Sequence, residues 1–343
     1  MTPYTNISSS ELERLLTTSD PTAVDTLKAE ACRVRDEVYG RRVFMRGLIE
    51  LTNHCRNNCL YCGIRRDAAC RRYRLTPEQI IDCCRTGHRL GFRTFVLQGG
   101  EDGWFTDELL CGIIGDIKRE FPDSAVTLSL GERGRESFRR LREAGADRYL
   151  LRHETADPAH YARLHPAEMS FDHRMQCLHD LRDLGYQVGA GFMVGSPGQT
   201  VDTLLKDLAF ISEFRPEMVG IGPFIPASGT PFEHERAGSV EMTIRLLAII
   251  RLLHPPVLLP ATTALGTLHP AGRERAVNAG ANVVMPNLSP QDTRALYAIY
   301  DNKLATGSEA AESVADIRCR MEAIGYEVPV DRGDFSNETI KPI

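Results

Sequence analysis

The sequence predicts an α/β chain folded as a complete (β/α)8 barrel, and three observations lead there. From residue 43 onward, short apolar strand cores alternate with amphipathic helical segments. The helices end on a repeated phrase (Arg89-Leu-Gly-Phe, Glu143-Ala-Gly-Ala, Asp183-Leu-Gly-Tyr, Asn278-Ala-Gly-Ala) in which glycine stops the helix before the next strand. Polar and glycine-rich residues collect after the strands, where such a barrel keeps its active site. A doubly wound open sheet is the competing architecture, but no Gly-x-Gly-x-x-Gly follows the first strand.

In chain order, residues 8–38 carry Leu12, Leu15, Leu16, Val24, Leu27, Ala31 and Val34 at helical spacings. Asp20-Pro21 breaks them into two short helices ahead of the main fold. The strand cores are 43–51, 94–98, 125–130, 148–151, 187–193, 218–221, 257–259 and 282–285. Helices are predicted near 76–90, 105–120, 133–144, 171–184, 199–213, 241–253, 270–279 and 289–299. Thr76-Pro77-Glu78-Gln79 is a capping-box start with proline at the first helical position. No linker, low-complexity tract or charge block divides the chain, so residues 1–343 read as one domain: helical extension 8–38, barrel 43–300 and helical tail 306–343.

Composition narrows the function classes. Apolar residues are 42% and charged residues 25% of 343, with a net charge of −5. That is ordinary globular chemistry, without the basic surface that nucleic acid requires. No apolar run approaches the roughly eighteen residues of a membrane span, and the start Met1-Thr-Pro-Tyr-Thr-Asn-Ile-Ser lacks a signal-peptide pattern. The expected setting is cytoplasmic, where ten cysteines argue for thiols or metal rather than disulfides.

Three of the ten follow the first strand as Cys55-x3-Cys59-x2-Cys62. Soft thiolates favour zinc, copper or an iron–sulfur cluster. A structural zinc takes four protein ligands and a cubane normally four cysteines. A set of three therefore points to a cluster with one iron left open. Zinc on Cys55, Cys59, Cys62 and the nearby Cys70 is the alternative. The remaining cysteines read as small buried hydrophobes.

The other strand ends supply further candidates. Gln98-Gly99-Gly100-Glu101 follows the second strand, where glycines let backbone approach a ligand closely. Ser129-Leu-Gly131-Glu-Arg follows the third and Arg152-His153-Glu154-Thr155 the fourth. A charged Arg-x-Glu at a barrel mouth is costly unless paired or ligand-bound. Either an internal Arg152–Glu pair or ligand contact fits, with His153 turned away by strand alternation. Arg174 suits a carboxylate. Gly189-Ala-Gly191-Phe-Met193, Thr262-Thr263 and Met285-Pro-Asn287 close the set. Tyr297 and Tyr300 lie on or just past the last helix, and Tyr300 is taken toward the cavity.

Taken together, Cys55-x3-Cys59-Leu-Tyr-Cys62-Gly, Leu97-Gln-Gly-Gly-Glu-Asp, Leu151-Arg-His-Glu-Thr, Met193-Val-Gly-Ser-Pro-Gly-Gln-Thr, Gly220-Ile-Gly-Pro-Phe-Ile-Pro and Pro260-Ala-Thr-Thr-Ala-Leu-Gly-Thr resemble the FeFe-hydrogenase maturase HydE family of radical S-adenosylmethionine (SAM) enzymes. The resemblance covers about residues 40 to 300 and extends to a sibling family, methylornithine synthase.

It implies a 4Fe–4S cluster on Cys55, Cys59 and Cys62 that cleaves SAM to methionine and a 5′-deoxyadenosyl radical. SAM would lie against Gly99, Gly100, Glu101, Ser129, Glu154, Arg174 and Met193. A small substrate, either an organometallic iron–cysteine complex or an amino-acid derivative, would lie against Gln98, Thr127, Arg152, Thr262, Thr263, Met285 and Tyr300. An electron donor such as ferredoxin or flavodoxin, other hydrogenase maturases as partners and a monomeric state are also implied. Some HydE proteins carry three further cysteines for a second cluster. Residues 301–326 offer Cys319 alone, so one cluster is expected.

Overall fold

The computed structural model describes residues 7–304 and 314–336. The chain opens with α1 (Ser9–Thr17) and α2 (Pro21–Tyr39), capped by the side chains of Ser8 and Asp20. Then come β1 (Phe44–Met45), β2 (Gly47–Thr52), α3 (Pro77–Arg89), β3 (Thr94–Gly99), α4 (Asp107–Glu120), β4 (Ala125–Ser129), α5 (Arg135–Glu143), β5 (Arg148–Leu150), α6 (Pro158–Leu164) and α7 (Phe171–Asp183). The second half runs β6 (Gln187–Ala190), β7 (Met193–Val194), α8 (Val201–Phe214), β8 (Met218–Val219), β9 (Gly222–Pro223), α9 (Val240–Leu253), α10 (Thr263–Leu268), α11 (Gly272–Val277), β10 (Val283–Val284), α12 (Gln291–Arg294) and α13 (Val314–Ala323).

Six strands pair in parallel in the order β2-β3-β4-β5-β6-β8. Single bridges finish the ring: Met218 to Leu258, Pro260 to Val283, β10 to β1, and Leu48 to Asn287. The predicted barrel closes. Its seventh strand survives only as those bridges at Leu258 and Pro260, and its fifth and sixth are broken into β6/β7 and β8/β9.

Strand alternation sorts the side chains. Phe95, Leu97, Val126, Leu128, Tyr149 and Val188 point outward into one continuous apolar shell with the helices. This shell runs from Leu12 to Tyr326 and includes α1 and α2, which lie against the largely buried α9. The opposite phase, with Glu50, Gln98, Thr127, Arg152 and Thr262, faces inward. Burial inside a ring of strands makes those polar groups expensive unless something pairs with them.

Three local expectations differ from the fold. The helix predicted over 289–299 is the single turn α12: Ser289 O accepts from Arg294 Nε (2.7 Å), and Leu296 N and Tyr297 N reach back only three residues, to Thr293 O and Arg294 O. Leu296 O accepts from Asn53 Nδ2 (2.8 Å) and Ile299 O from Gly63 N (2.9 Å). Two helices, α6 and α10, stand where loops were expected; Asp157 caps α6 ahead of Pro158, a start signal that reads clearly in retrospect. The tail is part helix and part plug, and residues 306–313 and 337–343 of it lie outside the described residues.

The plug seals the end of the barrel opposite the strand C-termini. Arg148, fully buried, donates to Thr94 Oγ1 (3.0 Å), Arg332 O (3.0 Å) and Asp334 (2.5 Å). Arg46 donates to Gly333 O at 3.1 Å. Burial, and then the neighbouring Arg148, lower the Arg46 pKa; Asp334 opposes them.

Beside this floor, His254 donates Nε2–H to Pro216 O (3.0 Å), and its Nδ1 is buried without a partner. Burial pushes its pKa down to about 3. The unfolded chain takes up that proton near pH 6.5, whereas the folded chain does so only far lower. Stability is therefore full above about 6.5 and falls by about 1.4 kcal/mol per pH unit below it. His254→Asn is expected to retain about 2 kcal/mol more of its own neutral-pH stability at pH 5 than the wild type does, read from urea midpoints at the two pH values. Parallel losses in both proteins would refute this.

Candidate active site

Residues 53–74 form the loop after β2 and carry the three cysteines. Two side chains that sequence reading passed over hold the loop. The Arg72 guanidinium, at the loop's centre, donates to the carbonyls of Asn53, Ile64 (2.9 Å), Arg65 (2.6 Å), Arg66 (3.3 Å) and Ala68 (3.1 Å). Asn53 accepts from Tyr73 N (2.8 Å) and donates to Arg71 O (2.8 Å). The backbone of a loop rich in small and polar residues is thereby satisfied without secondary structure.

The thiols of Cys55, Cys59 and Cys62 face a common space, each perturbed by its neighbours. Burial raises all three; Cys62 is pushed up to about 12, and for Cys59 the charges of Cys62 and Cys55 add to the effect. Three crowded thiols of this kind ionise only when a cation compensates them, which couples proton release to metal binding. Among the described residues, no three His, Cys, Asp or Glu side chains close on a single-ion position, and Cys70 is exposed.

The end of β3 abuts this loop. A Cβ on Gly100 would fall 2.2 Å from His54 O and 2.8 Å from the Cys55 Cβ, so only glycine fits. Next to it, Glu101 is buried and accepts from Glu132 N (2.9 Å) and Arg56 Nε (3.0 Å). Gly131, at φ 74°, leaves room for the Glu101 side chain; a Cβ there would meet it at 2.1 Å. Glu132 then pairs with Arg174 Nε (2.5 Å), whose Nη1 donates to Arg152 O (2.7 Å). Burial works against the Arg174 charge, but Tyr161 and Glu132 outweigh it and raise its pKa. The bridging Glu132 was not singled out from the sequence.

Arg152 and Glu154 meet at 3.1 Å, the internal pair weighed above. The pair is incomplete. Arg152 Nη2 and Glu154 Oε2 face each other as an ion pair without hydrogen-bond geometry, and Arg152 Nε is buried with no hydrogen-bond partner. Glu154 also sits at φ 65°, a left-handed conformation costing on the order of 1 kcal/mol for a non-glycine residue. His153 does turn away, into a fully buried pair with Asp207 at 3.3 Å.

Thr127 Oγ1 and Thr262 Oγ1 are likewise buried and unpartnered. Gln98 donates to Tyr297 OH (3.3 Å), and beside it, in register on β2, Glu50 accepts from Lys303 (2.7 Å) and Asn287 (2.9 Å). Ser129 ends β4 half-buried, and Met193 joins Leu164, Phe224 and Tyr61 in a small apolar cluster. Thr263 begins α10 and is half-buried, as is Tyr300. Met285 packs instead toward the floor, against the cluster of Phe44, Met218 and Leu258. The geometry thus gathers Gln98, Glu101, Thr127, Arg152, Glu154, Arg174 and Thr262 around the inward face below the cysteine loop and sets Met285 apart.

Comparison with known proteins places this arrangement. A model of the radical SAM superfamily matches residues 49–211. The "[FeFe] hydrogenase maturase subunit HydE" of Thermotoga maritima is 43% identical over 323 residues, spanning 94% of this chain and 92% of that protein. The 3-methylornithine synthase of Methanosarcina barkeri is 29% identical over 331 residues, 96% of this chain and 92% of its own. The crystal structure of methylornithine synthase (PylB) superposes with a TM-score of 0.85 at 29% identity, covering 94% of both chains.

A closed α/β barrel with three thiols on the loop after its first strand defines the molecule as a radical SAM enzyme. Within that superfamily, the chain belongs to the HydE family. The family brings a 4Fe–4S cluster and SAM as cofactors. The donor set is chemically suited to them: soft thiolates for iron, and buried polar groups with unused hydrogen-bonding capacity for a zwitterionic ligand.

Proposed function

We propose that this enzyme acts in the maturation of FeFe-hydrogenase, turning a SAM-derived radical on a small organometallic iron–cysteine substrate held inside the barrel. The observation that carries this reading is the set of buried polar groups on Thr127, Thr262 and the Arg152–Glu154 ion pair whose atoms make no hydrogen bond and which face inward below the thiol loop. The relationship to HydE supports the same reading. Cys55, Cys59 and Cys62 would hold one 4Fe–4S cluster. When bound, that cluster supplies the electron that splits SAM into methionine and the 5′-deoxyadenosyl radical.

The chain's own part is to bind and exclude. Glu101 with the Gly99-Gly100 backbone would receive the methionyl amino group. Arg174, held by Glu132, would present positive charge to the carboxylate. Glu154 would accept from a ribose hydroxyl, with Ser129 and Met193 flanking the adenosine. Gln98, Thr127, Arg152, Thr262, Thr263 and Tyr300 would contact the substrate, and the plugged floor keeps bulk water from it. We take residues 1–343 as one domain, with a single cluster, since Cys319 stands alone between residues 301 and 326. A ferredoxin-type donor, other maturases as partners and a monomeric, cytoplasmic protein complete the proposal.

Anaerobic reconstitution is expected to load about four irons per chain and to give SAM cleavage with dithionite. Turnover of the organometallic substrate, with lysine left unchanged, supports maturation. Isomerised lysine would move the assignment to the methylornithine type.

Thr127→Val separates binding from stability. The substitution removes a buried hydroxyl with no partner, so the apo-protein is expected to hold or gain up to about 1 kcal/mol. Substrate KM should rise about tenfold, as one polar contact is lost. Apo-protein destabilisation with unchanged KM would refute the assignment.

A further inference from the structure

We propose that the face around the cysteine loop is the docking site of a small acidic ferredoxin. This rests on the radical chemistry proposed above, which consumes one electron per SAM cleaved. That electron passes from the ferredoxin to the cluster held by Cys55, Cys59 and Cys62, and no proton or bond moves with it.

The charge distribution is the first argument. The chain carries net −5, yet residues 56–74 hold Arg56, Arg65, Arg66, Arg71, Arg72 and Arg74 against one acid, Asp67. Several exposed arginines elsewhere are matched by acids on the same or the next helix. On α5, Arg139 pairs with Glu136 and Glu143, and Arg140 with Glu108. In the loop Arg72 is committed inward, Arg65 donates to Asn58, and Arg56 and Arg74 reach Glu101 and Asp102. Two arginines are left available to a partner. Arg71 is exposed, and among the described residues its side chain makes no hydrogen bond or ion pair. Arg66 reaches Asp67 (3.1 Å) and Glu168 (3.7 Å), with both acids 60% exposed. Such surface pairs contribute little and exchange readily for a partner's carboxylates.

The second argument is apolar. Trp104 is the chain's single tryptophan and is 43% exposed, one of two exposed large hydrophobics among the described residues. Its backbone N–H donates to Asp102 (3.1 Å), and the Arg74 guanidinium lies 5.8 Å from its ring. Tryptophan and arginine are the residue types that dominate transient interfaces. Location is the third argument. Asp102 lies two residues beyond Gly100, whose missing Cβ lets the strand touch Cys55. The patch therefore overlies the thiols. Basic charge with an aromatic anchor suits a small, acidic, short-lived partner and speeds its encounter.

The test measures the Kd of an oxidised acidic ferredoxin for the cluster-loaded enzyme by calorimetry, together with SAM cleavage driven by reduced ferredoxin or by dithionite. Arg66→Glu/Arg71→Glu is expected to raise the Kd about tenfold and to lower the ferredoxin-driven rate likewise at low donor concentration. Trp104→Ala should raise the Kd several-fold. Dithionite-driven cleavage should stay at the wild-type rate in both. A charge-matched control away from the loop, Arg14→Glu/Arg119→Glu, should leave the Kd within about twofold. An unchanged Kd in both loop variants, or an equal loss in the control, overturns the proposal. A wild type that cleaves no SAM even with dithionite would sink the enzymatic reading instead, and the Kd series would still decide the docking face.

Discussion

Cys59→Ala is expected to abolish SAM cleavage while leaving the barrel folded. Loss of a partner behind a metal ligand typically costs about 10- to 100-fold, so loss of the ligand itself should exceed roughly 100-fold. The fold should tolerate the change because Arg72 and Asn53, not the thiols, hold the loop backbone. Cys59 is half-buried, and its nearest sulfur contact, Met169 at 3.7 Å, is soft and adaptable. Iron per chain should fall well below four, with far-UV dichroism unchanged. Full iron content with normal SAM cleavage would remove Cys59 from the site and reopen the zinc alternative. Collapse of the fold would instead show that the loop is tied by its thiols.

Asp334→Ala is the substitution expected to cost most in stability. Asp334 is the carboxylate that reaches the Arg148 guanidinium, whose side chain is fully buried, and it also offsets Arg46. Removing one partner of a buried pair costs about 3–5 kcal/mol. The Asp334 side chain is 40% exposed, so solvent already screens part of the interaction, and about 2 kcal/mol is the expected loss. Arg148→Met should cost less, because the carboxylate it strands can turn to water while a stranded guanidinium cannot. Urea midpoints of the two variants check the order, and the reverse order would refute it. Dithionite-driven SAM cleavage per loaded enzyme should not change in either variant, since the floor lies at the opposite end of the barrel from the thiols.

Much of this was legible in the sequence wherever a local rule governs. Thr76-Pro77 through Gln79 forms the capping box its spacing announces. Inward and outward phases follow from alternation, and three cysteines at fixed spacing on one loop stay together whatever surrounds them. The residues that were not legible act through contacts that only the assembled fold brings together. Arg72 looks like one arginine of a surface run, yet its fork of donors centres the loop. Glu132 links Glu101 to Arg174 only once β3, β4 and α7 are assembled. Met285 was placed by its strand end, but its side chain follows the apolar floor. The helix expected over 289–299 stops after one turn, where Arg294 takes the Ser289 carbonyl and the backbone runs on into bonds with Asn53 and Gly63, more than 230 residues earlier. Local periodicity carries no record of such competition.

The plugged floor also sets an order of events in folding. Arg46 and Gly333 are separated by 287 positions in the chain, and Arg148 and Asp334 by 186. Contacts that distant form slowly, because the loop they close must be ordered first. A chain made from its N-terminus therefore assembles its strands before the segment that stoppers them exists. Until that segment arrives, Arg46 and Arg148 have only water in place of the partners it supplies. Sealing is therefore a late step.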